Sequence, residues 1–332
     1  MTWFRRSSTP TITPPRRRRR ALVAIGAAVL VAVITALALR DTSPVGHFTS
    51  GSGKDEFAAA YAAAMRQLPE PDATIDARTS FGVVRLYRFD GVNPDATPLV
   101  LLPGTASGSP VWADNLPGLR GERTVYTVDL LGEPGASIQG RPVESAEEQA
   151  RWLDEALAGL PHRRFHLVGL SIGGWTATNL AVHAPRRVSS LVLLDPAVTF
   201  ADLPLETVVR SIPAAVPWLP RAWRDDFASW TAGGAPVEDE PLARMIEAGM
   251  RTYAMKLPAP ERFSDAQLRS LGMPVLVILA GESVMHEPRD AAAVAERTLR
   301  EGTVLVYANA SHAINGEFAD RISRDIHDFL VG

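Results

Sequence analysis

The 332-residue sequence alternates between segments that read as buried β-strands and segments with helical periodicity. Parallel strands require a long crossover connection, usually a helix, and they read as continuous apolar runs when both faces of the sheet are covered. The alternation therefore predicts an α/β fold with a mostly parallel sheet flanked by helices. The predicted strands are residues 81–89, 99–102, 124–128, 165–168, 190–194, 274–280 and 303–308, and the predicted helices are residues 54–68, 289–300 and the segments beginning at residues 145, 171 and about 316.

The composition excludes several other classes of protein. A chain that is 46% hydrophobic and 21% charged is typical of a globular protein, and not of a disordered, collagenous or coiled-coil one. The absence of cysteine excludes disulfides, thiolate metal sites and a cysteine nucleophile. The sequence also contains no metal-ligand cluster, phosphate loop or dinucleotide fingerprint, so we expect neither a metal nor an organic cofactor.

The first forty residues differ from the rest of the chain. The formal net charge of −3 divides into +8 for residues 1–40 and −11 for the remainder. Residues 21–39 are uncharged and long enough to span a hydrocarbon core of ~30 Å as a helix. The preceding arginines indicate a cytoplasmic N-terminus. We therefore expect a basic cytoplasmic segment at residues 1–20, a transmembrane helix or signal anchor at residues 21–39 and an exported domain, with a buried core helix as the alternative. An arginine run beside an apolar span does not favour binding to nucleic acid.

Cleavage of this segment is the alternative to anchoring. Ala36 and Ala38 form an Ala-x-Ala site at which a signal peptidase would release a secreted protein. Arg19 and Arg20 also allow a twin-arginine export signal. The apolar run exceeds the usual signal core of about 7–15 residues, which favours an uncleaved anchor in the cell membrane.

Two units are predicted after the anchor. Residues 40–69 read as a tether followed by an Ala-rich helix, since residues 41–53 are small and polar like a flexible linker. Residues 70–332 are predicted to form one α/β domain. Within its first long helix, Ser145 and Glu148 have the spacing of a capping box.

Residues 198–271 interrupt the alternation of strands and helices. The segment contains many prolines and the tryptophans Trp218, Trp223 and Trp230, but no buried-strand run. A structureless connection of this length is uncommon inside a domain. We therefore predict a helical cap inserted between two strands, whose aromatic residues would form an apolar pocket.

One short motif points to chemistry. Residues 169–173 read Gly-Leu-Ser-Ile-Gly, and this G-x-S-x-G pattern lies between a predicted strand and a predicted helix. A serine on so sharp a turn is exposed at the end of the sheet, and Gly169 and Gly173 allow chain segments to pass closely. The context predicts that Ser171 is a nucleophile.

On this motif and two further segments the chain resembles the α/β-hydrolase family, from about residue 81 to residue 330. Residues 101–105, Leu-Leu-Pro-Gly-Thr, resemble the family's loop that normally reads His-Gly-x, with Pro103 in place of the histidine. Residues 128–137 are similar to the family's D-x-x-G-x-G-x-S turn. The resemblance implies an oxyanion hole made by the backbone N–H groups of Thr105 and Ile172.

A serine nucleophile needs a base, and the chain has seven histidines. His312 follows the predicted strand 303–308 and precedes the last helix, where the family places its base. His286 lies in a loop after a strand and is the other histidine that could approach the site. We therefore expect His312 to activate Ser171.

The acid that orients the base has two candidates. Val284 occupies the position at which the family usually carries the acid. Glu282 could substitute for it through its longer side chain. Asp195 ends the strand directly after the elbow helix and resembles the acid of lipases in which the carboxylate has moved to that strand. We favour Asp195, with Glu282 as the alternative.

These residues together predict a serine hydrolase that acts on hydrophobic esters through an acyl-enzyme. A tethered, non-catalytic binding protein on the same scaffold is one alternative, and the vacant acid position is its support. Cofactor-free amidase, perhydrolase or carbon–carbon hydrolase chemistry is another. The natural substrate and the oligomeric state stay open.

Overall fold

A computed structural model of the protein describes residues 41–214, 216 and 219–331. The predicted anchor at residues 21–39 and the predicted cap residue Trp218 lie outside the described residues. In the part of the chain that is described, no helix is both long enough and apolar enough to cross a membrane. The chain divides into two units between Ser43 and Pro44, and the predicted α/β domain lies in the second, which is compact.

The elements of this second unit confirm the predicted alternation. The strands are β1 (His47–Phe48), β2 (Ala73–Thr79), β3 (Gly82–Phe89), β4 (Leu99–Leu102), β5 (Val125–Val128), β6 (Ile138–Gln139), β7 (Phe165–Leu170), β8 (Val188–Leu194), β9 (Tyr253–Ala254), β10 (Val275–Ala280) and β11 (Gly302–Tyr307). The helices are α1 (Gly51–Met65), α2 (Leu116–Leu119), α3 (Ala146–Ala158), α4 (Ile172–His183), α5 (Leu205–Ala214), α6 (Arg221–Thr231), α7 (Pro241–Thr252), α8 (Asp265–Ser270), α9 (Pro288–Thr298), α10 (Ile314–Glu317) and α11 (Ala319–Val331).

One central sheet organises the domain. Its strand order is β11-β10-β8-β7-β4-β5-β3-β2, and β6 pairs with β3. The pairs from β5 through β4, β7, β8 and β10 to β11 are parallel, whereas β3 and β2 are antiparallel to their neighbours. The mostly parallel sheet predicted from the sequence is therefore confirmed.

Helices cover both faces of this sheet, so almost every residue of the central strands is buried. In β4, Val100 and Leu102 belong to the core under α3, α4, α8 and α9, while Leu99 and Leu101 belong to the core under α2 and α11. This alternation follows from the two-residue period of a strand. The carboxyl ends of the parallel strands then meet at one edge of the sheet, where ligands bind in open α/β folds.

The first long helix begins almost as predicted. The Ser145 hydroxyl accepts a hydrogen bond from the backbone N–H of Glu148 at 3.2 Å. The Glu148 carboxylate, however, accepts from the backbone N–H of Glu144 at 2.8 Å and not from that of Ser145. The reciprocal bond of the predicted capping box is therefore shifted one residue upstream.

The N-terminal part of this unit contains a strand and the start of a helix, which corrects the predicted tether at residues 41–53 for its residues 47–53. β1 pairs with β9 in a separate two-stranded ribbon. Ser50 caps α1 by accepting a hydrogen bond from the backbone N–H of Gly53 at 3.0 Å. Phe57 of α1 then packs with Met245 and Ala248 of α7. An apolar face of α1 therefore helps to hold this segment on the domain.

The predicted helical cap lies between β8 and β10. Its helices are α5, α6 and α7, followed by β9, and α8 packs on the main core through the buried Leu268. Arg224 of α6 is buried and forms a salt bridge to Glu247 of α7 at 2.9 Å. Because a buried cation needs a partner, this pair fixes the two cap helices against each other.

Candidate active site

The predicted nucleophile stands at the turn between β7 and α4. Ser171 has φ 54° and ψ −119°, a left-handed conformation that is costly for a residue with a Cβ. Glycines allow the turn to form: a Cβ on Gly173 would lie 2.1 Å from the carbonyl oxygen of Leu102, and one on Gly169 would lie 2.3 Å from that of Gly173. The G-x-S-x-G spacing is thus a steric requirement of this crossing.

Three side chains predicted from the sequence meet at this turn. His312 Nε2 lies 2.9 Å from Ser171 Oγ, and His312 Nδ1 lies 2.6 Å from Asp195 Oδ2. When Nδ1 carries the ring proton, it donates a hydrogen bond to Asp195, and Nε2 is free to accept a hydrogen bond from the serine hydroxyl. The backbone N–H of His312 also donates to the carbonyl of Thr231, the last residue of α6, at 3.1 Å. A cap helix therefore helps to hold the histidine loop.

Asp195 is fully buried and surrounded by donors. The backbone N–H of Ala280 donates to Oδ1 at 3.0 Å, and the Ser283 hydroxyl donates to Oδ2 at 2.7 Å. His286 Nε2 also lies 3.0 Å from Oδ1, but its N–H is not aimed at this oxygen, so the contact is electrostatic and not an aligned hydrogen bond. Burial by itself raises the pKa of Asp195, but the contacts with His286 and His312 outweigh burial and hold that pKa well below its usual range.

The alternative acid lies elsewhere. Glu282 is exposed, and its backbone N–H donates to the carbonyl of Ala310 at 2.9 Å. The carbonyl of Val284, in the position where the family usually carries its acid, accepts a hydrogen bond from the Thr207 hydroxyl of α5. The structure therefore brings Asp195 to the histidine and does not bring Glu282 there, which corrects the alternative assignment of the acid.

The predicted oxyanion donors border the same cavity as the serine. Thr105 and Ile172 line it with Ser171. Neither backbone N–H donates to a protein group in the described residues, so both are available to a bound oxygen. The loop that carries Thr105 is a tight turn in which the Ser107 hydroxyl donates to the carbonyl of Gly104 at 2.7 Å. Two free donors beside a serine can stabilise a tetrahedral oxyanion.

The turn at residues 128–137 supports this loop. Asp129 is fully buried, and its Oδ1 accepts from both the backbone N–H and the hydroxyl of Ser109 at 2.8 Å. Its Oδ2 accepts from the backbone N–H of Ala136 and from the Tyr61 hydroxyl of α1, both at 2.7 Å. One carboxylate thus ties α1 and two site loops together. The sequence motif of this turn contains no sign of the contact with α1.

A cavity of about 280 Å³ opens above the serine. Its lining is mostly apolar and comes from the main domain and the cap: Leu130, Leu131, Trp152, Ile172, Trp175, Ala197, Val198, Leu203, Met255, Leu257, Pro258, Ala259, Pro260 and Met285. The tryptophans in the wall are Trp152 and Trp175 of the main domain, and not the cap residues Trp223 and Trp230 expected from the sequence. The cap contributes aliphatic side chains and prolines instead.

One carboxyl group interrupts this apolar lining. Glu133 is 7% exposed and borders the cavity. Its Oε2 accepts a hydrogen bond from the backbone N–H of Ala106 at 3.1 Å. Burial raises the pKa of Glu133 to about 7, against the opposing effect of the Ala106 N–H. No sequence pattern singles out this residue, because its burial depends on loops that are distant in the chain.

Comparisons with known proteins agree with this geometry. The sequence model of the alpha/beta hydrolase family matches residues 99–325. The uncharacterized carboxylesterase nap of Bacillus subtilis is 28% identical over 243 residues, which cover 71% of this chain and 80% of that protein. The carboxylesterase YbfK of the same organism is 26% identical over 245 residues, covering 72% of this chain and 81% of YbfK.

The fold is also found in solved structures. The crystal structure of naproxen esterase from Bacillus subtilis superposes with a TM-score of 0.78 at 23% identity, and covers 84% of this chain and 99% of the esterase. The prediction of a hydrolase is therefore confirmed, and the chain belongs to the α/β-hydrolase family.

Proposed function

We propose that the protein is a serine carboxylesterase that hydrolyses hydrophobic esters. The observation that carries the proposal is the 2.9 Å separation of Ser171 Oγ from His312 Nε2, whose opposite ring nitrogen is paired with the buried Asp195. The names of the Bacillus subtilis relatives support an ester substrate. The apolar cavity of about 280 Å³ supports a hydrophobic acyl or alcohol group.

The arrangement accounts for both halves of ester hydrolysis. In the first half, His312 takes the Ser171 proton while Oγ forms a bond to the carbonyl carbon, and the N–H groups of Thr105 and Ile172 bind the oxyanion. The intermediate collapses to an acyl-enzyme when the carbon–oxygen bond to the alcohol breaks, and His312 returns its proton to the leaving alcohol. In the second half, His312 deprotonates a water molecule that attacks the acyl-enzyme, and its proton then restores Ser171 as the carboxylic acid departs.

Ser171→Ala tests the assignment of the nucleophile. We expect the variant to lose roughly 10⁴-fold or more in kcat on p-nitrophenyl esters, because the remaining groups cannot form an acyl-enzyme. Ser270→Ala is the matched control, since Ser270 is an exposed serine at the end of α8. A fluorophosphonate should label the wild type and the control but not Ser171→Ala. Turnover retained by Ser171→Ala, or an equal loss in the control, would refute the proposal.

We also propose that residues 21–39 hold the protein in the cell membrane, with the N-terminus in the cytoplasm and the hydrolase domain outside. The uncharged apolar run and the arginines before it support this. After expression in bacteria, the full chain should stay in the membrane fraction during alkaline extraction, and protease added to intact spheroplasts should digest the domain. A released protein whose mass corresponds to a start at Leu39 would show cleavage after Ala38 and secretion instead. A full-length chain in the soluble fraction would contradict both.

A further inference from the structure

Glu133 lies in the wall of the catalytic cavity, and its carboxyl group has few hydrogen-bond partners in the described protein. The described residues give its side chain a single hydrogen bond, from the backbone N–H of Ala106 to Oε2. No arginine, lysine or histidine of the described part of the chain pairs with it. Gln149 and Thr176, which also line the cavity, form no hydrogen bond with it in the described residues, and Thr176 donates instead to the carbonyl of Ile172. Burial and, after it, the nearby Glu133 carboxylate raise the pKa of the Tyr253 hydroxyl, but no hydrogen bond joins the two groups in the described residues.

This arrangement is unfavourable for the free protein. A carboxylate has two oxygens that together accept about four hydrogen bonds, and a buried carboxylate left without partners is costly. An apolar residue at the same position would line an ester pocket without this cost. A polar group that the protein leaves open inside a binding cavity is the kind of group that fixes ligand orientation and selects among substrates.

Glu133 borders the same cavity as Ser171 and contacts the loop that carries the oxyanion donor Thr105. Ala106, which it holds, directly follows the oxyanion donor Thr105 and has a left-handed φ of 56°. The carboxyl group therefore lies beside the oxyanion loop, in the cavity that also contains Ser171. Because Glu133 and Ser171 border one cavity, we expect a polar substituent near the scissile bond of an ester at Ser171 to reach this carboxyl group.

We propose that Glu133 determines substrate specificity by binding a hydrogen-bond donor, a hydroxyl or ammonium group, that the hydrophobic ester carries near its scissile bond. Because burial raises the pKa of Glu133 to about 7, the carboxyl group is mostly ionised at about pH 8.5, the pH of the assay. A hydrogen bond to a charged acceptor is stronger than a neutral one, and a second negative charge in this enclosed site is repelled. Glu133 thus favours donor-bearing esters and rejects esters with a free carboxylate. This inference rests on the proposed ester hydrolysis at Ser171.

A charge series of p-nitrophenyl esters tests the proposal. Hexanoate, 6-hydroxyhexanoate, 6-aminohexanoate and the adipate half-ester share one chain and differ at its end. A second series carries the same hydroxyl, amino or carboxylate group on C2 of the hexanoate, which brings the group next to the carbonyl and avoids closure of a five-membered ring. We expect the wild type to hydrolyse the hydroxyl or amino ester of one series with a kcat/KM at least 10-fold above that of the carboxylate ester. In Glu133→Gln, which keeps the size of the side chain, this ratio should fall roughly 10-fold, and in Glu133→Leu the neutral ester should become the best substrate of its series.

The ratio of kcat/KM for the donor-bearing ester to that for the carboxylate ester distinguishes a role in specificity from a merely structural role. If Glu133 only holds the oxyanion loop, both variants lose kcat/KM on all esters in proportion and the ratios stay at the wild-type value, which overturns the proposal. A wild type that ranks the carboxylate ester first overturns it as well. Loss of all ester turnover in Ser171→Ala reports on the proposed function separately. If the wild type hydrolyses no ester, the labelling rates of alkyl, aminoalkyl and carboxyalkyl fluorophosphonates provide the same ranking at Ser171.

Discussion

Asp195→Asn distinguishes the two carboxylates that the sequence offers as partner of the base. Asp195 is fully buried and accepts from donors on both oxygens, including Ala280 N–H, the Ser283 hydroxyl and His312 Nδ1. An asparagine has the same size but only one oxygen, so its NH₂ group must face a donor. Facing His312, it would favour the tautomer with the proton on Nε2, which then points at the serine and cannot accept its proton. Such a tautomer change costs ~10⁴ in kcat in serine proteases, and we expect a loss of ~10³–10⁴, or about 4–5.5 kcal/mol of transition-state stabilisation.

The assay compares kcat on a p-nitrophenyl ester at about pH 8 for the wild type, Asp195→Asn and Glu282→Gln. Glu282 is exposed, so its variant should stay within about twofold of the wild type. A larger loss in Glu282→Gln than in Asp195→Asn would refute the assignment of the acid. Stability provides a second readout. Because the pKa of Asp195 is held below its usual range, the aspartate stabilises the fold above the unfolded pKa of about 3.9 and loses this contribution as the pH falls. The stability difference between wild type and Asp195→Asn should therefore be larger at pH 7 than near pH 3.

Three further predictions concern contacts around the site. Gly173→Ala would place a methyl group 2.1 Å from a backbone carbonyl oxygen, so we expect a loss of more than about 3 kcal/mol in urea unfolding, whereas Gly272→Ala, with no atom within 4 Å, should unfold like the wild type. Because burial raises the pKa of Glu133 from 4.5 to about 7, the folded state binds the proton more tightly than the unfolded one, and stability should fall by up to about 3 kcal/mol from pH 5 to pH 8. Glu133→Gln should lack this component, and an unchanged pH dependence of unfolding in the variant would contradict the reasoning. His286→Phe keeps a ring but removes a group that lowers the pKa of Asp195, so the part of the stability that is lost as the pH falls below about 3.9 should become smaller; an unchanged loss of stability between pH 5 and pH 3 would show that His286 only fills space.

The sheet could be predicted from the sequence because its central strands have a distinctive pattern. Strands such as β4, β5 and β10 are buried at every residue and read as unbroken apolar runs. The edge strand β2 could not be predicted, for the opposite reason: its sequence Ala-Thr-Ile-Asp-Ala-Arg-Thr is alternately exposed and half-buried, and its pairing with β3 is visible only in the fold. Composition is likewise misleading for residues 47–53, where small residues suggest a linker but β1 and the start of α1 are found.

The residues of the site likewise include some that could be located from the sequence and others that could not. Ser171 and His312 could be located because their neighbours along the chain, a strand before and a helix after, fix their place at the edge of the sheet. The acid could not be located in this way, because Asp195 and Glu282 both follow strands that end at that edge. Only the three-dimensional register decides which of the two side chains reaches the imidazole of His312. Glu133 has no sequence signal, since its environment is made by side chains that are far apart in sequence.

The cap and the position of the acid are connected through the loop after β10. Val284 occupies the position where this family usually carries its acid, and here its backbone carbonyl accepts a hydrogen bond from Thr207 of the cap helix α5. At the other side of the site, the carbonyl of Thr231 at the end of α6 accepts from the backbone N–H of His312. The cap is thus fastened to both loops that flank the Asp195–His312 pair. With the acid at the end of β8, the loop after β10 is free to hold the cap, and substitutions at these cap attachments should therefore change kcat through the histidine loop as well as KM through the cavity wall.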